Sequence, residues 1–246
     1  MKSVLFFVTC IIDSLYPHIG EAAVAVLERQ GVSVEFPQGQ TCCGQPGYNA
    51  GYRPEARVVA ENFLAVFEAR PDLPIVTPSG SCAAMLVHGY ADLFRDDPAL
   101  AARAAAIAGR TFEFTQYLVD VLGVDDVGAQ WDGVLTYHPA CHGLRGLRIV
   151  DPPLRLLANV RGATVVTLPH ADDCCGFGGL FSVKYGGISS AMLAQKVQNI
   201  RASGAATVVT GDASCLTNMN GGLSRQQLPQ RVVHIAEVLN SVGEAA

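Results

Sequence analysis

All eight cysteines of this chain fall into two matched sets of four, each centred on an adjacent pair followed by glycine. The first set is Cys10, Cys42, Cys43 and Cys82; the second is Cys141, Cys174, Cys175 and Cys215. Cys42 follows Cys10 by 32 positions and Cys82 follows Cys43 by 39, and the matching intervals in the second set are 33 and 40. Thiolates are soft ligands suited to iron–sulfur clusters, zinc or copper(I). Four per set meet the four-cysteine requirement of an iron–sulfur cluster. The closely spaced CxxC knuckle that zinc sites favour is absent from the sequence. Adjacent cysteines send their side chains apart, which suits two irons of one cluster better than one ion. Iron–sulfur binding is the leading reading, with a zinc site and a thiol–disulfide role as alternatives. A single buried cysteine is ordinary packing; two matched sets of four are not.

The elements that must carry these cysteines alternate between strand and helix. Val4 to Val8 is short, apolar and β-prone, as a strand buried on both faces should be, and it leads to Cys10. A helix is expected over 17–30 and ends at Gly31, with a strand over 32–36 leading to Cys42-Cys43-Gly44. Pro54 opens the next helix, with Val59, Phe63, Val66 and Phe67 inward, and the strand 75–77 precedes Cys82. Asp97-Pro98 starts an alanine-rich helix, and a further helix over 115–122 completes the half. Residues 123–132 read as a linker. The second half then repeats the order: strand 134–137 to Cys141, helix 152–160, strand 164–168 to Cys174-Cys175-Gly176, helix 188–201, strand 207–210 to Cys215, helix 234–240. The expectation is an α/β protein of two similar domains, 1–123 and 132–246, each with a small parallel sheet. Its cysteines gather at the C-terminal strand edge, where open α/β sheets bind ligands.

Composition narrows the partners. With 246 residues, 50% of them hydrophobic, there is material for two buried cores, and a net charge of −5 with no basic stripe argues against nucleic acid. The apolar start of the chain is not a signal peptide, because Val134 to Ala140 repeats it in mid-chain. No apolar run reaches the ~18 residues of a membrane span. The expected location is the cytoplasm, where clustered thiols bind metal more often than they form disulfides.

The cysteine-bearing strings resemble those of a known family. Phe7-Val8-Thr9-Cys10, Thr41 to Pro46, Pro78 to Cys82, Asp173 to Gly179 and His234 to Asn240 are similar, over nearly the whole chain, to the lactate utilization protein A (LutA/YkgE) family. The wider group is the CCG cysteine-rich domain proteins, which include the B subunit of heterodisulfide reductase and the iron–sulfur subunit of glycolate oxidase. The resemblance implies an iron–sulfur electron-transfer subunit of a system that oxidises L-lactate to pyruvate. It also implies companion proteins, one of them ferredoxin-like, and makes the eight cysteines metal ligands, one cluster per domain. The heterodisulfide reductase type carries a fifth cysteine per motif where this chain has Ser79 and Asp212. That implies a four-iron, four-sulfur cluster or a variant of it, held by four thiolates or completed by an oxygen of Ser79 or Asp212.

Other residues near the cysteines are candidates for supporting chemistry. Gly44, Gly176, Gly178 and Gly179 can turn backbone N–H groups toward an anion or cluster sulfur; a tight turn is the alternative. His138, His142 and His170 lie near the second-set cysteines and could take the hydroxyl proton of a 2-hydroxy acid or move protons alongside electrons. A structural histidine is the alternative for each, and is the reading for His18, His88 and His234. Arg145, Arg148 and Lys184 suit a carboxylate or an acidic redox partner, against the alternative of solvated surface.

Overall fold

Lys2–Phe6 forms the first strand, β1, whose apolar end is fully buried, as a central parallel strand requires. It lies between β2 (Val32–Glu35) and β3 (Ile75–Thr77), with β4 (Thr111–Glu113) beyond β3, all parallel. The second half repeats this order. There β5 (Gln130–His138) lies between β6 (Arg161–Val166) and β7 (Thr207–Thr210), with β8 (Arg231–His234) outside β7. These elements are those of a computed structural model that describes residues 2–242.

Parallel strands need long crossovers, and helices supply them. In the first half these are α1 (Cys10–Leu15), α2 (Pro17–Arg29), α3 (Gln45–Asn49), α4 (Arg53–Phe67), α5 (Gly80–Ala84), α6 (Tyr90–Leu93), α7 (Pro98–Ala108) and α8 (Phe114–Gln116). In the second half they are α9 (Asp151–Ala158), α10 (Leu180–Lys184), α11 (Gly186–Ser203) and α12 (Ala213–Arg225), and α13 (Ile235–Asn240) follows the last strand. Proline stands in the first turn of α2, α4, α7 and α9, where its missing N–H costs nothing. Asp97 caps α7 through the Leu100 N–H at 3.1 Å.

The architecture is the expected one, with differences at its edges. β4 and β8 are additional strands of three and four residues, too short for a period to show beside the helices they adjoin. β5 begins at Gln130, inside the expected linker. Helix α12 has no clear period in the sequence, because Cys215 and two glycines obscure its apolar face of Leu216, Met219 and Leu223. On α4 the packed face is Ala56, Ala60, Phe63, Leu64 and Phe67, while Val59 and Val66 are half-buried.

The two sheets share one continuous core, which includes Val4 and Val76 of the first and Leu135 and Val208 of the second. Helices α2 and α13 pack against each other across this junction. Arg29 on α2 donates to the Leu239 carbonyl of α13 at 2.8 Å, and the Tyr16 hydroxyl is hydrogen-bonded to that of Thr217 on α12 at 3.0 Å. This packing holds the two cysteine-bearing edges toward one another.

The fourth strand of each sheet ends in a buried cap. His234 accepts from the Ala236 N–H at Nδ1 and so donates from Nε2 to the Pro78 carbonyl at 3.0 Å, tying the second half to the first. Glu113 accepts from the Thr115 and Gln116 N–H groups, yet burial outweighs these bonds and pushes its carboxyl up to about 7. A buried acid with a raised folded pKa binds its proton more tightly folded than unfolded. Stability from this group is therefore fully present below the unfolded value near 4.5 and is lost as pH rises through about 7. Glu113→Gln should abolish that fall, gaining on the order of 2–3 kcal/mol relative to the parent at pH 8 over pH 5 in urea unfolding. An identical pH slope in both proteins would refute it.

Candidate metal centre

Every cysteine follows the C-terminal end of a strand. Cys10 follows β1 and Cys82 follows β3, the two neighbouring strands from which the chain crosses in opposite directions. That is the topological switch point where open α/β sheets place ligands. Cys42 and Cys43 follow β2, and the same placement recurs with Cys141, Cys215 and the Cys174-Cys175 pair. All eight line a single cavity of about 90 Å³ between the halves. None is in a disulfide.

Within each set the thiols are in mutual contact. Cys43 Sγ lies 3.5 Å from Cys82 Sγ, and Cys175 Sγ lies 3.2 Å from Cys215 Sγ. Cys42 takes hydrogen bonds from the Cys10 and Cys43 thiols and from the Gly44 N–H, which hold it well below the ordinary thiol range. The bonded Cys10 and Cys43 thiols are pushed up correspondingly, with burial adding to the rise. Cys174 is lowered in the same way by Cys141, Cys175 and Gly176, and the Cys141 and Cys175 thiols rise. Four soft donors in contact, one of them predisposed to be thiolate, fit an iron–sulfur cluster or another thiophilic metal group.

The glycines differ in their parts. Gly44 and Gly176 adopt φ of 84° and 86°, and each donates its N–H to the first sulfur of its pair at 3.4 Å. A Cβ at Gly176 would stand 2.7 Å from the Ser189 carbonyl oxygen, and one at Gly44 3.2 Å from that of Ala56. Gly178 and Gly179 line the cavity and shape the turn into α10, where the Gly179 carbonyl accepts from Ser182. The histidines separate too. His142 lines the cavity, with Nδ1 3.7 Å from Cys141 Sγ. His138 is sealed behind the second set, and burial, with the Lys196 ammonium second, pushes it down to about 3. The His170 side chain is exposed, and its residue contributes a backbone carbonyl that accepts from Lys196 at 2.9 Å. Arg145 binds the Asp172 carbonyl and Lys184 stacks over Tyr52, both exposed.

Some site features had little signal in the sequence. Ser79 and Asp212, the positions of the fifth cysteine in the resemblance, meet each other across the two halves: Ser79 Oγ donates to Asp212 Oδ2 at 3.1 Å. Asp212 also accepts from the Ser81 and Ser214 N–H groups, and Ser79 accepts from the Cys82 N–H. Both line the cavity, so one buried carboxylate braces the Cys82 and Cys215 loops together. Lys196 is fully buried beside the second set, with Nζ bound to the His170 and Ala171 carbonyls. Thr9, buried just before Cys10, holds φ 72° and ψ 148°, a region that costs a β-branched residue about 1–3 kcal/mol.

Comparison with known proteins gives the chain a family. The chain matches the family model described as CCG, cysteine-rich domain, twice, over residues 4–87 and 135–220. It is similar to lactate utilization protein A of Bacillus pumilus, at 49% identity over 235 residues, 96% of this chain and 98% of that protein. The protein of that name from Geobacillus kaustophilus is 50% identical over 238 residues, covering 97% and 98%. That from an Exiguobacterium species is 49% identical over 240 residues, covering 98% of each.

Proposed function

The chain belongs to the lactate utilization protein A family, and from that premise we propose that it is the iron–sulfur electron-transfer subunit of a multi-protein system that oxidises L-lactate to pyruvate. The names of its relatives support a role in lactate utilization, and the paired CCG domains support a redox-related subunit. The observation that carries the finer reading is the gathering of two four-thiol sets on one cavity. The two domains are taken as 1–123 and 132–246, and the working location as the cytoplasm. No helix among the described residues is long and apolar enough to cross a membrane.

Oxidation of L-lactate converts its C–OH to C=O, releasing two electrons and two protons. A bound iron–sulfur cluster supplies one-electron acceptance, so one per set matches the two electrons, which a ferredoxin-like companion protein would then receive. The chain's own residues do the rest. Cys10, Cys42, Cys43 and Cys82 hold one group, and Cys141, Cys174, Cys175 and Cys215 the other. Gly44 and Gly176 donate N–H groups to a ligand sulfur, which lowers the charge that sulfur carries. The Ser79–Asp212 pair fixes the spacing of the two loops. His142, at the cavity wall, is positioned to hold a proton at Nδ1 beside Cys141.

Protein isolated without oxygen should contain iron and acid-labile sulfide. Lactate should produce reduced-cluster EPR signals when the companion proteins are added. A colourless product holding zinc and no labile sulfide would sink this reading.

A further inference from the structure

The two cysteine sets match in backbone and differ in what lies behind them. Phe7 in the first half and His138 in the second each stand three positions before the cysteine that follows the central strand. Phe63 on α4 and Lys196 on α11 correspond as well. Each is seven residues beyond the helix residue whose carbonyl approaches the Cys-Cys-Gly glycine, Ala56 for Gly44 and Ser189 for Gly176. In the first half the two positions form an apolar wall, Phe7 edge-on to Phe63 at 4.9 Å between ring centroids. In the second half the same wall is an imidazole and an ammonium, both with 0% exposure.

Lys196 is accounted for by its two carbonyl partners, and His138 is not. Neither ring nitrogen of His138 makes a hydrogen bond of normal geometry, and the Ala171 carbonyl, already bound to Lys196, is the one backbone acceptor near the ring. An unpaired buried polar atom is costly, and the first half avoids that cost with phenylalanine at the same place. The hydroxyl of Thr210, its register partner on β7, is also unpartnered, but it could serve only one of the two nitrogens. One ligand atom each from His138, Cys175 and Cys215 lies within 4.8 Å of the others, all three residues buried. Imidazole nitrogen and thiolate sulfur together suit iron and zinc alike.

We propose that His138 is a nitrogen donor to the metal held by the second cysteine set, a fifth donor that the first set lacks. The proposal rests on the reading that the sets hold metal and names one more ligand for it. The two metal groups then differ in kind.

Cadmium-113 tests the donor set directly, whatever metal is native. The reduced full-length chain, stripped of metal and loaded with cadmium-113, should show two resonances, one sulfur-only from the first set and one shifted to higher field by nitrogen. Histidine labelled with nitrogen-15 should split only the second, a measurement on the parent protein that needs no variant. His138→Phe, which recreates the first-half wall, should remove the splitting and move that resonance toward the first; Cys43→Ser should disturb only the first. Two sulfur-only resonances, an unsplit second signal, or no cadmium uptake would overturn the proposal. Iron and labile-sulfide content judges the iron–sulfur reading separately, so the two can fail independently.

Discussion

Cys43→Ser and Cys175→Ser should each remove about half of the iron and labile sulfide from protein isolated without oxygen, because each cluster needs its four ligands. Both cysteines are only 2% exposed, and each touches the last cysteine of its set. A serine hydroxyl fits either space but is a harder, weaker ligand for iron. The loss should be confined to one set, since each contact runs within a half. Far-ultraviolet circular dichroism would confirm that the fold survives. A variant that keeps the full iron content would show that its half carries no cluster.

Gly176→Ala should be more damaging than Gly44→Ala, although the two positions occupy the same place in the repeat. Both need φ near +85°, which costs an alanine about 1–2 kcal/mol. At position 176 the new methyl would also stand 2.7 Å from the Ser189 carbonyl oxygen and 3.2 Å from the Met192 Cβ, so α11 must shift. Ser189 Oγ donates to the Gly176 carbonyl at 2.8 Å, and that shift would strain this bond as well. At position 44 the nearest atom is at 3.2 Å, and a small adjustment suffices. We expect roughly 3 kcal/mol or more for Gly176→Ala against about 1–2 kcal/mol for Gly44→Ala. In a chain of this size, at about 3 °C per kcal/mol, that is a fall in Tm of at least about 9 °C against about 3–6 °C. Gly176→Ala should also deplete metal from the second set. Equal shifts in thermal unfolding would show that the backbone conformation, not the carbonyl, sets the cost.

The regular elements were open to reading because their signals are local. Pro17, Pro54, Pro98 and Pro152 mark helix starts by fixing φ at positions that need no N–H, and all four lie in first turns. Ile75 to Thr77 and Thr207 to Thr210 are apolar or β-branched throughout, and both are strands over those limits. β4 and β8 were not visible, because three or four edge residues carry too little period to stand apart from the helix that follows. The fully buried Lys196 on α11 gave no warning. Lysine ordinarily marks a solvated face, and only the loop carbonyls of His170 and Ala171, arriving from another part of the chain, make its burial tolerable.

By itself the sequence determined the two four-cysteine sets, the repeat that carries them and the sheet edge at which they lie. All of these follow from residue order and short-range preference. The tertiary structure decided what the halves do to each other. It turned both sets onto one cavity, and it joined Ser79 to Asp212, residues far apart in the chain that the sequence offers only as separate oxygen ligands in place of missing cysteines. It also set His138, one of three histidines that sequence could not rank, against Cys175 and Cys215 with neither ring nitrogen in a hydrogen bond of normal geometry. Such pairings depend on how two sheets pack through a shared core, and no spacing along a single chain encodes that distance.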